Sequence, residues 1–182
     1  MPYTVYAKMV NFRNTKFFAE LGVDTYSHTT MTLEDDYGGD HTLGKENHVN
    51  NSGFLAIGVD FDGNQIEIIP NYYETNGSIN NFELNLRLDI PFRKGDFQPY
   101  ATLLGGFDII ELQSYKTSLT GWTWGLGGGI KYNVDKHLFV KFGFMFQSTQ
   151  FNKELKDEYG WYNDVTIFSD TFKLLTSVGY RF

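Results

Sequence analysis

The chain has 182 residues, most simply one domain, and its formal charge of −7 argues against nucleic acid as a partner. Cysteine is absent, which excludes disulfide bonds and thiol chemistry, and no apolar run approaches the ~18 residues that a membrane-spanning helix needs. Phenylalanine (17), tyrosine (12) and glycine (19) are abundant, although mean hydropathy is negative. This composition favours a β-barrel, either soluble or embedded in a membrane.

The first segment of the chain, residues 1–15, fits either a short strand or a tail at the mouth of the barrel, and we favour the tail. No secretory signal is evident, because Met1-Pro2-Tyr3 leads at once into polar, alternating residues. An exported chain of this kind is expected to be the mature form, without its leader. The remainder, residues 16–182, is expected to form a single barrel domain.

Apolar and polar residues alternate with a period of two through most of the chain, which predicts strands. The predicted strands are Lys16 to about Thr32, Ser52–Phe61, Gln65–Glu74, Asn81–Phe92, Phe97–Glu111, Gly121–Val134, Leu138–Thr149 and Asp170–Phe182. Tight turns are predicted at 62–64, 93–96 and 135–137, and long polar loops at 33–51 and 150–169. Short turns at one rim and long loops at the other indicate an all-β, eight-stranded antiparallel up-and-down barrel that spans a membrane.

The polar face of these strands distinguishes a membrane barrel from a soluble, ligand-binding one. It carries charges of both signs at mid-strand, as suits a narrow lumen in which acids and bases pair. The predicted lumen charge network is Glu20, Asp24, Asp60, Glu67, Glu83, Arg87, Asp89, Asp108, Lys131, Lys141, Lys173 and Arg181. The apolar face is nearly unbroken and is edged by an aromatic girdle of Tyr72, Trp122, Trp124, Tyr132 and Tyr180. Both features favour the membrane.

Four segments carry a family resemblance: Gln98–Ala101, Gly121–Tyr132, Leu138–Phe146 and the ending Val178–Phe182. They resemble the small outer-membrane barrels of Gram-negative bacteria, such as the OmpA membrane domain, OmpX and opacity-type proteins. The resemblance covers about residues 15–182, and it implies the outer membrane as location and the bilayer with its lipopolysaccharide as surroundings. It also implies that Phe182 is part of a signal read by the barrel-assembly machinery.

Two features depart from that resemblance. Pro2–Asn14 matches no segment of the family. Pro70 is the second departure, because a closed barrel has no free edge that tolerates a proline. This proline predicts a bulge or a local break in the third predicted strand.

A hydrolytic site is conceivable around Glu20, Ser27 and His28, since some barrels of this kind modify lipid A. Adjacent residues of a strand point to opposite faces, so Ser27 and His28 cannot share a hydrogen bond there. Catalysis is therefore not expected, and no cofactor is expected either.

The two long loops carry the remaining candidates. The first is dense in oxygen ligands and could hold Ca²⁺, but its spacing fits no EF-hand, and a solvated loop is the simpler interpretation. These residues are Glu34, Asp35, Asp36, Asp40, His41, Glu46 and His48. The last loop mixes charge with Tyr159, Trp161 and Tyr162, which could form a recognition surface for a host or surface ligand.

The sequence thus predicts a non-enzymatic outer-membrane barrel with a packed polar lumen, serving a structural or adhesive role in the envelope. A lipid A-modifying enzyme is the main alternative. A narrow channel for small or hydrophobic solutes and a soluble ligand-binding barrel come after it.

Overall fold

A computed structural model describes residues 15–35, 41–50, 52–75, 79–112, 117–156 and 162–182. Within these ranges no helix is long and apolar enough to cross a membrane. The described chain forms strands β1 (Thr15–Asp35), β2 (His41–Asn50), β3 (Gly53–Phe61), β4 (Asn64–Thr75), β5 (Ile79–Pro91), β6 (Phe97–Leu112), β7 (Thr117–Asn133), β8 (Leu138–Lys156) and β9 (Tyr162–Arg181).

The strands close into a barrel. From β3 to β9 each strand pairs antiparallel with the next, and β1 pairs with β9. β2 and β3 lie end to end along the same edge of β1, with β3 pairing with Thr15–Val23 and β2 with Ser27–Asp35. They therefore share one position in the wall, which makes a closed antiparallel barrel of eight strands and confirms the predicted fold.

The short connections lie together at one rim, which we call the turn end; the opposite rim is the loop end. Between β3 and β4 the turn consists of Asp62 and Gly63, with φ of 55° and 93°. Positive φ at both central positions is characteristic of the two-residue hairpin turn whose twist matches that of the flanking strands. Glycine adopts a positive φ without strain. The predicted turns at 62–64, 93–96 and 135–137 are all confirmed.

The prediction of two long loops is wrong in part. Residues 33–35 and 41–50 of the first predicted loop are paired strand, and β8 and β9 continue through 150–156 and 162–169 of the second. Above a bilayer both faces of a strand are wet, so no apolar alternation marks it, yet its backbone groups are still satisfied by pairing. Alternation therefore reports only the part of each strand that lies in the membrane.

A bulge in β1 shifts its register with β9. Asp24 pairs with Leu175, but Tyr26 pairs with Leu174, so Thr25 is an extra residue in the β1–β9 ladder. Beyond this point the register of β1 with β9 is displaced by one residue from an uninterrupted count through Tyr26 and His28. The register places His28 opposite Phe172 and Ser27 opposite Lys173.

Pro70 does not interrupt its own strand, which corrects the predicted break. β4 runs through it and pairs continuously with β5, with Pro70 opposite Leu84. On the other side, however, the ladder to β3 ends at the pair Ile57–Ile68. The interruption therefore lies between two strands and not within one.

Candidate functional site

The interior of the barrel is polar and closely packed. All twelve residues of the predicted lumen charge network are buried, each with 7% exposure or less. The neighbouring positions on the outer surface are exposed and apolar, such as Leu55 at 47%, Leu86 at 53% and Leu126 at 52%. The lumen side chains fall into three layers along the barrel axis, which we call the middle, upper and lower layers.

The middle layer consists of Glu20, Glu67, Arg87, Asp89 and Lys141. Arg87 donates from Nε to Glu67 (2.6 Å) and from Nη2 to Glu20 (2.7 Å). Lys141 Nζ lies 2.7 Å from Glu20 Oε2, 2.7 Å from Asp89 Oδ2 and 3.2 Å from Glu67 Oε1. Three carboxylates from three strands thus share two cations, and the group spans the lumen from wall to wall.

Aromatic rings enclose the Lys141 ammonium on its remaining sides. Its Nζ lies 5.5 Å from the ring centre of Phe139, 5.8 Å from that of Phe18 and 5.9 Å from that of Tyr100. Phe139 has no exposed surface, and Gly179 makes room for its ring, since a Cβ there would lie 2.0 Å from Phe139 Cζ. Cations over ring faces are stabilised where water is excluded, so the rings add to the closure of this layer.

The upper layer lies towards the loop end. Lys173 Nζ is 3.5 Å from Glu83 Oε2 and 3.9 Å from Asp24 Oδ2. Asp108 lies directly opposite Glu83 in the β5–β6 register, and Thr149 donates to it at 2.7 Å. Like charges at opposing positions repel, so this layer depends on the shared lysine and on hydroxyl donors.

The lower layer closes the turn end. Arg181 donates to Asp60 (2.8 Å) and to Asn133 (2.8 Å), while Lys131 donates to the backbone carbonyl of Gly63 (2.9 Å). Lys131 also lies directly opposite Lys141 in the β7–β8 register. The two ammonium groups avoid each other because one points to the turn and the other to the middle layer.

Several neutral side chains that take part in the network were missed as site residues. Thr102 donates to Asp89 at 2.6 Å, Gln147 to Glu83 at 3.4 Å, and Thr123 shares a 2.7 Å hydrogen bond with Thr149. The signal that could have found them is parity, because each alternates in step with the charged residues of its own strand.

The predicted girdle residues all point outward. Tyr72 (64% exposed) and Trp122 (78%) lie near the loop end, with Trp124 (53%) two residues further into the wall. Tyr132 (51%) and Tyr180 (48%) lie near the turn end, where Tyr180 packs edge-on against Phe182. The exposed apolar band is thus bounded by aromatic residues at both ends. The role of Phe182 in assembly stays a prediction.

The other predicted sites are only partly described. The side chains of Ser27 and His28 and those of the candidate Ca²⁺ loop lie outside the described residues, as does Trp161. Glu20, the third member of the conceivable hydrolytic site, is bound by Arg87 and Lys141. Among the side chains that are described, no group of three acidic or histidine residues is arranged to hold a metal ion.

Comparison with known proteins identifies the fold independently. The chain is similar to Neisserial surface protein A, with 14% identity over 91% of this chain and 97% of that one and a TM-score of 0.54. It is similar to outer membrane protein AlkL, solved in DMPC bilayers, with 13% identity over 100% of this chain and 97% of that one, TM-score 0.54. The outer membrane protease OmpT of Escherichia coli is also similar (10% identity, 92% and 97% covered, TM-score 0.50). At such identities the likeness concerns the fold alone.

No curated protein sequence matches the chain. A family model does: the one described as "Outer membrane protein beta-barrel domain" matches residues 3–182, nearly the whole length. The closed barrel and its exposed apolar band are the features expected of such a domain. The chain belongs to that family of outer-membrane proteins of Gram-negative bacteria.

Proposed function

We propose that this protein is a non-conducting and non-enzymatic barrel that holds a recognition surface outside the cell. The middle layer carries the proposal, because a pore needs an open path and here five charged side chains and three aromatic rings fill the cross-section. In a barrel of this size the lumen is only wide enough for side chains to fill it. The protein therefore acts through its surface.

The surface in question is an asymmetric wall. β1, β8 and β9 have 21, 19 and 20 residues, against 9, 12 and 13 for β3, β4 and β5. Together with β2 they form a four-stranded sheet that rises above the rest of the loop end; we call it the tall wall. Loop ends of outer-membrane barrels face the exterior, so the tall wall reaches beyond the lipopolysaccharide-bearing leaflet. Exposed strand edges of this kind can pair with an extended segment of a partner.

Planar-bilayer recording tests the closed lumen. The purified protein is expected to show no stable openings, while the double variant Arg87→Ser/Lys141→Ser, which removes both cations of the middle layer and leaves its three carboxylates without partners, is expected to pass ions. Stable high-conductance openings of the unaltered protein contradict the proposal.

Adhesion tests the tall wall. Replacing residues 31–46 by a short Gly-Ser turn leaves the barrel intact, as heat-modifiable migration on gels can verify. Cells carrying the trimmed protein are expected to adhere less to monolayers of cultured host cells than cells carrying the full one. Equal adhesion of the two strains contradicts a recognition role, and loss of an acyl chain from lipid A on expression contradicts the absence of enzymatic activity.

A further inference from the structure

The upper layer of the lumen holds its charges less closely than the middle layer does. Lys173 Nζ lies 3.5 Å from Glu83 and 3.9 Å from Asp24, whereas the lysine of the middle layer has two carboxylate contacts of 2.7 Å. The amide groups that donate to Glu83 are also distant, at 3.3 Å for Asn85 and 3.4 Å for Gln147. Charged groups in contact ordinarily lie about 2.7–2.9 Å apart, so the side chains of this layer surround a space.

That space is a cavity of about 30 Å³, room for roughly two water-sized groups. Its polar lining includes Asp24, Asn71 and Glu83. Its apolar lining consists of Phe54, Ile69, Leu104, Met145 and Leu175. Ser52, which is half-buried where β3 begins, donates to Asp24 Oδ2 at 2.7 Å. The cavity is thus within one side chain of the solvent at the loop end.

Asn71 is the member of this lining whose hydrogen bonding is incomplete. It is 7% exposed, and within the described part of the chain its Oδ1 atom accepts no hydrogen bond. The register of β4, β5 and β6 places Asn71, Glu83 and Asp108 side by side, so this oxygen adjoins a carboxylate. A buried acceptor without a donor is costly, and a neighbouring negative charge adds repulsion. A positive group in the cavity would supply the missing partner.

The charges of the lining leave an excess of one negative charge. Asp24 and Glu83 share a single ammonium, that of Lys173. Arg87, the other cation of the lining, is already bound by two carboxylates of the middle layer. A buried charge without a counter-charge is costly, so the cavity favours a cation. One positive charge restores neutrality, and the described side chains place no third carboxylate there of the kind that calcium sites use.

We propose that this cavity binds one monovalent metal cation, such as Na⁺, which enters from the loop end beside Ser52. Its ligands are Asn71 Oδ1 and the carboxylates of Asp24 and Glu83, and water completes the shell. The ion joins β1, β4 and β5, the strands that carry these three residues, and adds a second counter-charge to that of Lys173. The site goes beyond the proposed function and needs no open lumen, because the middle layer lies below it.

Methyl NMR of the protein in DMPC nanodiscs tests the site. NaCl replaces N-methylglucamine chloride at constant ionic strength, so that the screening of charges stays fixed. The methyl signals of Ile69, Met145 and Leu175, which line the cavity, are expected to shift saturably with Na⁺. Those of Leu126, on the outer surface of β7, are expected to stay unchanged. The absence of a saturable shift with Na⁺, or saturation by CaCl₂ alone in a parallel series, overturns the proposal.

Two variants test the assigned ligands, each verified as folded by heat-modifiable migration. Asn71→Leu keeps the size of the side chain but removes the oxygen, so Na⁺ affinity is expected to fall at least about tenfold. Asp24→Asn removes the excess negative charge, and the saturable shift is expected to disappear. Asp96→Asn removes an exposed carboxylate at the turn end and is expected to leave the affinity unchanged. Unaltered Na⁺ affinity in Asn71→Leu or in Asp24→Asn overturns the proposal, and if Asp24→Asn does not fold, Asn71→Leu alone decides.

Discussion

Removing Arg87 is the most direct test of how the lumen is held together. In Arg87→Met the side chain keeps an unbranched apolar stem but loses the guanidinium that binds Glu67 at 2.6 Å and Glu20 at 2.7 Å. Glu20, Glu67 and Asp89 then share Lys141 alone, and all three are buried to 2% exposure or less. Removing one partner of a buried ion pair costs about 3–5 kcal/mol, because the other charge stays buried without compensation. We expect a loss of that size in the free energy of unfolding.

The control is an exposed pair in the same molecule. Lys94 pairs with Asp62 in the turns at the turn end, with side-chain exposures of 67% and 40%. Lys94→Met removes the same charge but is expected to cost about 0–1 kcal/mol. Urea unfolding in phospholipid vesicles, followed by tryptophan fluorescence and by heat-modifiable migration, measures both variants. Equal, small losses in the two variants refute the view that the middle layer stabilises the barrel.

Three further predictions concern other parts of the barrel. Gly179→Ala is expected to lower the free energy of unfolding by about 1–3 kcal/mol, because the new Cβ overlaps the Phe139 ring. Gly105→Ala is the control: open space surrounds this position, so its free energy of unfolding is expected to be nearly unchanged in the same assay. Leu126 lies in the middle of the lipid-facing band, and Leu126→Arg is expected to lower the free energy of unfolding by about 2–4 kcal/mol. Trp122 lies near the loop end, and Trp122→Arg is expected to lower it by only about 0–1 kcal/mol. A larger loss for Trp122→Arg than for Leu126→Arg in urea titrations contradicts the assigned depths. Asp135 accepts the backbone N–H groups of Leu138 (2.7 Å) and His137 (2.6 Å), which hold the pKa of its carboxyl below the ordinary 3.8. Because this pKa is lower in the folded state, the ionised Asp135 stabilises the folded protein relative to Asp135→Asn above about pH 4, and this stabilisation is lost as the pH falls through the folded pKa. The Leu138 amide signal reports the titration by NMR, and a midpoint above 3.8 contradicts the prediction.

The sequence by itself determined the membrane-embedded part of the fold. Where a strand separates lipid from a packed lumen, apolar and polar residues must alternate along it. The number of strands and the positions of the tight turns could therefore be predicted from this alternation. It also predicted that Glu67 points inward and Leu86 outward. The inward position of the charged residues followed in the same way. The strands above the bilayer carry no such alternation, and for that reason β2 and the extensions of β8 and β9 were predicted as loops.

Only the tertiary structure decided which charges meet. Parity puts Arg87 and Lys141 on the inner face, but strand tilt and register determine that they share Glu20, Glu67 and Asp89 while Lys131 turns away to Gly63. The bulge at Thr25 and the short ladder between β3 and β4 beside Pro70 are likewise matters of pairing, since one extra residue or one missing N–H acts through the neighbouring strand. Contacts between strands depend on how the barrel closes, and closure is a property of the whole chain, which local alternation does not specify.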